Sequence, residues 1–94
     1  METIYTYEAK RQELIRRLRK IEGQVKGIAR MIEEGQYCLD ILIQVAATRA
    51  ALHKVGMMVL EGHVHGCVTR AVREGAGDEV IDELMKVIEK YTKE

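Results

Sequence analysis

The sequence predicts an all-α protein of three helices, and three observations carry that expectation. None of its 94 residues is proline, phenylalanine or tryptophan, and the only aromatic rings apart from histidine are four tyrosines. The hydrophobic share of 47% comes mainly from Ile, Leu, Val, Ala and Met, a palette that favours helices over strands. Apolar residues also recur at steps of three and four, not two.

The first helix is marked by Leu14, Leu18, Ile21, Val25, Ile28 and Ile32, one seam on one face, with Gly35 as a stop signal after Glu34. A second helix should begin near Tyr37 or Cys38, with Asp40 in its first turn, and run through Ile41, Leu42, Val45, Leu52, Val55 and Val59. Ala46, Ala47, Ala50 and Ala51 at its middle would let another helix approach closely. Gly56, Gly62 and Gly66 each weaken it by about 1 kcal/mol relative to alanine, which would allow a kink or an early end. The lack of proline and the return of apolar residues at Val68 and Val72 still predict continuation to about Arg73. A turn over Glu74-Gly75-Ala76-Gly77 and an N-cap at Asp78 then introduce a third helix, with Val80, Ile81, Leu84, Val87, Ile88 and Tyr91 as its stripe. Residues 1–94 read as a single helical domain whose first seven residues form a loose arm.

Fifteen Lys/Arg balance fifteen Asp/Glu, so net charge says nothing about partners, but its distribution does. From Lys10 to Arg30 eight basic residues face only Glu13 and Glu22, whereas the stretch from Glu74 to Glu94 is acidic. No apolar run approaches the roughly 20 residues of a membrane span, and the N-terminus lacks the order of a signal peptide. A cytoplasmic protein without a membrane partner is expected, its two cysteines thiols or metal ligands and not a staple. A chain this short rarely buries enough apolar surface to stand alone, so self-association is expected too.

His63 and Cys67 are four residues apart, which puts an imidazole and a thiol on adjacent turns of one helical face. Cys38 lies on the same predicted helix, on the order of 37 Å away at about 1.5 Å per residue, so one chain cannot unite the three. Two copies paired antiparallel can: their helices would cross near residue 51, bringing Cys38 of one beside His63 and Cys67 of the other, twice by symmetry. Two thiolates and an imidazole suit Cu(I). Zn(II), the competitor, would need a fourth donor from His65, a carboxylate or water, and His65 should point away from the other two ligands. Spacing alone leaves inert packing open, with cysteines as small core residues. His53 and His65 read as ordinary histidines, and Met57-Met58 as core filling.

The basic first helix reads either as a solvated face or as a surface for phosphates. No helix-turn-helix, zinc finger or aromatic platform accompanies it, so nucleic-acid binding would rest on phosphate contacts and DNA shape. With no glycine-rich phosphate loop, nucleophile elbow or serine, the chain reads neither as an enzyme nor as a binder of a small organic substrate.

Taken together, Arg17-Leu-Arg-Lys-Ile-Glu-Gly-Gln-Val-Lys-Gly-Ile28, Tyr37-Cys38, Ile41-Leu-Ile-Gln-Val-Ala46 and Leu60-Glu-Gly-His-Val-His-Gly-Cys67 make the chain resemble the copper-sensitive operon repressor family. The resemblance runs from about Leu14 to Cys67 and, more loosely, into the third helix. It implies an antiparallel dimer with a four-helix-bundle core, assembled as a dimer of dimers, that binds operator double-stranded DNA of copper-resistance genes when metal-free. Cu(I) held by Cys38 of one subunit and His63 and Cys67 of its partner would lower that affinity. The resemblance further implies that Tyr37 and Glu83 surround the ligands. DNA would meet Arg16, Arg17, Arg19, Lys20, Lys26 and Arg30, with Arg49 and Lys54 as further candidates and Gln24 as a contact the resemblance alone suggests. Related sensors of the same fold fit less well: a nickel or cobalt sensor would want histidines near the N-terminus and at position 67, and a formaldehyde sensor would lack the second cysteine. A persulfide or thiol-redox repressor using Cys38 and Cys67 is the alternative, and His63 argues for copper over it. His65 and Gly66 depart from the common pattern.

Overall fold

A computed structural model describes residues 7–92, except for the side chains of Cys67 and Thr92. The described residues are helical and contain no strand, in agreement with the all-α expectation. After a single 3-10 turn at Glu8–Lys10 come α1 (Arg11–Glu33), α2 (Cys38–His63), a π turn (Val64–Val68), α3 (Thr69–Arg73) and α4 (Gly77–Thr92). α2, the π turn and α3 follow one another without a break in the helical backbone, so the predicted second helix does run to Arg73.

Both sharp reversals are glycine C-caps. At Gly35 (φ 68°) the Gln36 amide donates to Met31 carbonyl at 3.0 Å and the Gly35 amide to Ile32 carbonyl at 3.1 Å. At Gly75 (φ 85°) the pattern repeats, with Ala76 amide to Ala71 carbonyl at 2.8 Å and Gly75 amide to Val72 carbonyl at 3.2 Å. Each glycine takes up the left-handed conformation that an L side chain resists, and each motif satisfies carbonyls the helix end would leave orphaned. α4 begins one residue before the expected cap: Asp78 lies in its first turn, and the Ala76 carbonyl accepts the Val80 amide at 3.3 Å. The acidic first turn of Asp78 and Glu79 still complements the helix dipole.

α1 and α2 form an antiparallel hairpin around Leu14, Ile21, Val55 and Met58. Tyr7 packs against that core and Arg11 lies 5.9 Å over its ring, so the loose arm does not extend to residue 7; residues 1–6 lie outside the described part. The α1 seam is rotated from the predicted one. Arg17, Gln24 and Met31 are half-buried on the α2 side, whereas Leu18, Val25 and Ile32 of the predicted seam are exposed, Ile32 by 61% against 6% for Ile21. The pattern located the apolar side of the helix but could not tell which edge of it α2 would cover.

The single chain measures 56 × 27 × 15 Å, with a radius of gyration of 17.5 Å where a compact domain of this length would have about 12 Å. α2 is apolar nearly all round, and Leu39, Leu42, Ile43, Val45 and Leu52 remain exposed on it. A helix of that kind is normally buried on several sides. α4 returns along the C-terminal half of the long helix, touching α3 and the π turn, and its far end reaches α2 at Tyr91.

Candidate metal centre and nucleic-acid face

Cys38 opens α2 as an exposed free thiol, directly after Tyr37, whose carbonyl accepts the amides of Asp40 and Ile41 at 3.1 and 3.2 Å. Tyr37 itself is exposed. His63 closes α2, half-buried, and Cys67 lies on the π turn that follows. The twenty-five residues between Cys38 and His63 are about 20° short of seven full turns, so the two occupy one face of α2 at its opposite ends. Their rise is about 37 Å, and among the described residues no three His, Cys, Asp or Glu side chains gather within the chain.

The π turn begins immediately after His63, and periodicity in the sequence did not predict it. Wider i to i+5 turns are frequent at functional sites. Here the Thr69 hydroxyl donates to the Val64 carbonyl at 3.2 Å, occupying an acceptor in the widened turn. Gly66 inside it and Gly62 just before it, both poor helix formers, were the only signal in the sequence. His65 faces a shallow pocket of about 170 Å³ lined by Tyr7, Lys10, Met58 and Glu61, on the α1 side of the molecule. Met58 is core and Met57 is exposed. Glu83 is exposed on α4, and no hydrogen bond joins it to His63 among the described residues.

The basic residues of α1 separate into two groups. Arg16, Arg19, Lys20, Lys26 and Arg30 are exposed and fall within about 120° of one another at roughly 100° per residue. Gly23 and Gly27 lie inside that stripe, with nothing within 4 Å of where a Cβ would stand. Arg17 and Gln24 belong instead to the α2-facing edge. Arg17 donates from Nε and Nη2 to Glu13 Oε2 at 3.1 and 3.0 Å, and this hydrogen bond holds the Glu13 carboxyl below the usual carboxylate range. Gln24 Oε1 is buried without a hydrogen-bond partner among the described residues. Arg19 reaches Glu22 at 3.6 Å, and on α2 Arg49 and Lys54 are exposed.

The described fold is a helical hairpin with a thiol and an imidazole at opposite ends of one helix face, beside a basic helix. The chain belongs to the metal-sensitive transcriptional repressor family, whose model matches residues 10–90. It is 45% identical over 83 residues to the copper-sensing transcriptional repressor CsoR of Bacillus subtilis, covering 88% of this chain and 82% of that protein. It is 48% identical over 75 residues to the copper-sensing repressor RicR of Mycobacterium tuberculosis, covering 80% and 78%. Among solved structures, the CsoR of Geobacillus thermodenitrificans with Cu(I) superposes with a TM-score of 0.83 at 48% identity, over 87% of this chain and 85% of that one. The nickel-responsive regulator InrS gives 0.75 at 39% identity, over 85% and 90%. These findings agree with the family resemblance carried by the motifs, and with a transcriptional repressor as opposed to an enzyme.

Proposed function

We propose that this chain is a Cu(I)-responsive repressor acting in the cytoplasm, whose metal-free form holds operator DNA and whose metal site is shared between two antiparallel copies. The observation that carries the reading is the placement of Cys38 and His63 on one face at the two ends of α2. A second copy running the other way brings Cys38 against His63 and Cys67 twice, and the exposed Leu39, Leu42, Ile43 and Val45 supply apolar surface for that pairing. Two such dimers would assemble as a tetramer through further exposed apolar surface, such as Leu18, Val25 and Ile32 of α1. No membrane-spanning helix is present among the described residues.

The donor set fits. Cys38 is free and exposed, Cys67 is the only other cysteine, and two thiolates with one imidazole form the soft, low-coordinate set that Cu(I) prefers. Bound Cu(I) would supply a cross-link between subunits. Zn(II) would enter as a non-cognate substitute lacking a fourth protein donor. Glu83 on α4 would accept the free ring N–H of His63 and fix its tautomer, with Tyr37 beside the partner's thiol.

DNA would lie along Arg16, Arg19, Lys20, Lys26 and Arg30. The stripe carries no negative side chain at Gly23 and Gly27, where the backbone can come close to a phosphate. Arg49 and Lys54 of α2 would add weaker contacts. Arg17, tied to Glu13, and Gln24, turned inward, would act more through the shape of the hairpin than by touching phosphate. A tenfold loss of operator affinity on metal binding corresponds to about 1.4 kcal/mol of coupling, and DNA weakens metal binding by the same amount.

Mixing tests the shared site. Cys38→Ala and His63→Ala chains, each unable to bind Cu(I) tightly in anaerobic chelator competition, should recover binding when co-refolded, because pairs of unlike chains then carry one intact site. No recovery, or tight binding by either variant alone, overturns the reading. Operator release by polysulfide that survives His63→Ala would instead make Cys38 and Cys67 a thiol-based switch.

A further inference from the structure

α4 is fastened at both ends, and the far fastening has no role in the copper switch proposed above. At the near end Gly77 abuts Val72, whose Cγ2 would lie 3.0 Å from a Cβ at that glycine. At the far end the Tyr91 hydroxyl donates to the His53 carbonyl at 2.9 Å, and its ring stacks on His53 with centroids 5.3 Å apart and planes 16° from parallel. The ring lies directly over Gly56. A Cβ there would collide with the Tyr91 hydroxyl and stand 2.7 Å from Cζ. Gly56 therefore has a steric reason to be glycine inside a helix, where it costs about 1 kcal/mol relative to alanine.

This contact sets a register. Gly56 and His63 are seven residues apart, about two turns, and share one face of α2. Seven residues back from Tyr91 along the antiparallel α4 is Leu84, next to Glu83. By helix rise alone, Tyr91 seated on Gly56 would put Glu83 near the level of His63, and a slip of α4 by one turn, about 5.4 Å, would separate them. We propose that Tyr91, seated in the notch at Gly56, is the positioning residue that holds α4 in register, so that Glu83 can answer a change at His63. This inference rests on the copper reading above, but the seat itself is made by Tyr91, His53 and Gly56 and includes none of the proposed ligands.

Two variants test it in the full-length protein. Gly56→Ala unseats the ring, and Tyr91→Phe keeps the ring while removing the bond to His53. In the metal-free state, NMR should show loss of the Tyr91 ring to Gly56 Hα proximity in Gly56→Ala and faster amide exchange along α4 in both. Chelator competition should give Cu(I) affinity within about threefold of the parent, since no ligand is touched. Metal-free operator affinity should also hold, while the fold loss of operator affinity caused by Cu(I) falls at least fivefold in Gly56→Ala and by less in Tyr91→Phe. The double variant should lose no more switching than Gly56→Ala alone, because both changes remove the same seat. The proposal is overturned if α4 exchange is unchanged in both variants, or if switching is intact in Gly56→Ala while NMR shows the ring displaced. A general loss of stability would lower the melting temperature without splitting switching from affinity. If the parent protein itself binds no Cu(I), the copper reading fails, and the NMR and exchange measurements still decide whether Tyr91 sets the register of α4.

Discussion

α1 and α2 are neighbours of similar length that face their surroundings differently. α1 is amphipathic: one edge meets α2, a basic stripe faces solvent, and its remaining apolar edge at Leu18, Val25 and Ile32 is narrow. α2 is apolar nearly all round, and α1 with α4 covers only part of it. The first helix presents its charge outward, whereas the second leaves apolar side chains open to solvent in the single chain. Its exposed flank lies between Cys38 and His63, so the open apolar surface and the residues proposed to share a metal belong to the same helix.

The contrast can be broken at several points. The largest effect is expected on α2: Leu42→Glu should dissociate the proposed dimer, because a charge buried unpaired between subunits would cost several kcal/mol. Sedimentation of an unchanged assembly would mean that this flank is free. Leu14→Ala, in the hairpin core, should lower stability by about 2–5 kcal/mol in denaturant unfolding whatever the state of assembly. On the basic stripe, Arg16→Ala with Lys20→Ala should leave the assembly intact and flatten the salt dependence of operator binding by about one log unit per log salt for each phosphate left unneutralised. Arg17→Ala, on the other edge, should change that slope less; an equal change would place Arg17 on the phosphates.

A smaller effect of opposite sign is expected at Gly23. With open space around its missing side chain, Gly23→Ala should raise stability by about 0.5–1 kcal/mol while weakening operator binding. Lower stability in thermal unfolding would show that another subunit packs there. The smallest effect concerns Glu13, whose carboxyl Arg17 holds below the usual range. A depressed folded value means that its contribution is present above the ordinary carboxylate range and is lost as pH falls through the folded value. An NMR titration should place Glu13 below the usual carboxylate range and return it toward that range in Arg17→Ala.

Much of the fold was legible because it depends on local chemistry. Helix content, the stop at Gly35 and the turn before α4 follow from composition, periodicity and glycine, all of which act over a few residues. The candidate ligands were legible from spacing, since the length of α2 alone forbids Cys38 from meeting His63 in one chain. The π turn was not, because two glycines and a threonine are compatible with an ordinary helix until the turn is closed. Nor was the rotation of the α1 seam: Leu14, Ile21 and Ile28 sit between two apolar edges, and only the position of α2 decides which edge is covered.

By itself, then, the sequence determined which segments are helical, where they stop, that the charge of the first helix lies apart from its apolar side, and that Cys38 and His63 stand about 37 Å apart on one helix. Each of these is set by residues within a turn or two of one another, or by the length of a single helix. The tertiary structure decided that Arg17 and Gln24 turn toward α2, that Tyr7 joins the core, that the helix widens beside His63, and that Tyr91 sits on Gly56. Those outcomes depend on contacts between residues far apart in the chain, where a side chain's position is fixed by the space its neighbours leave.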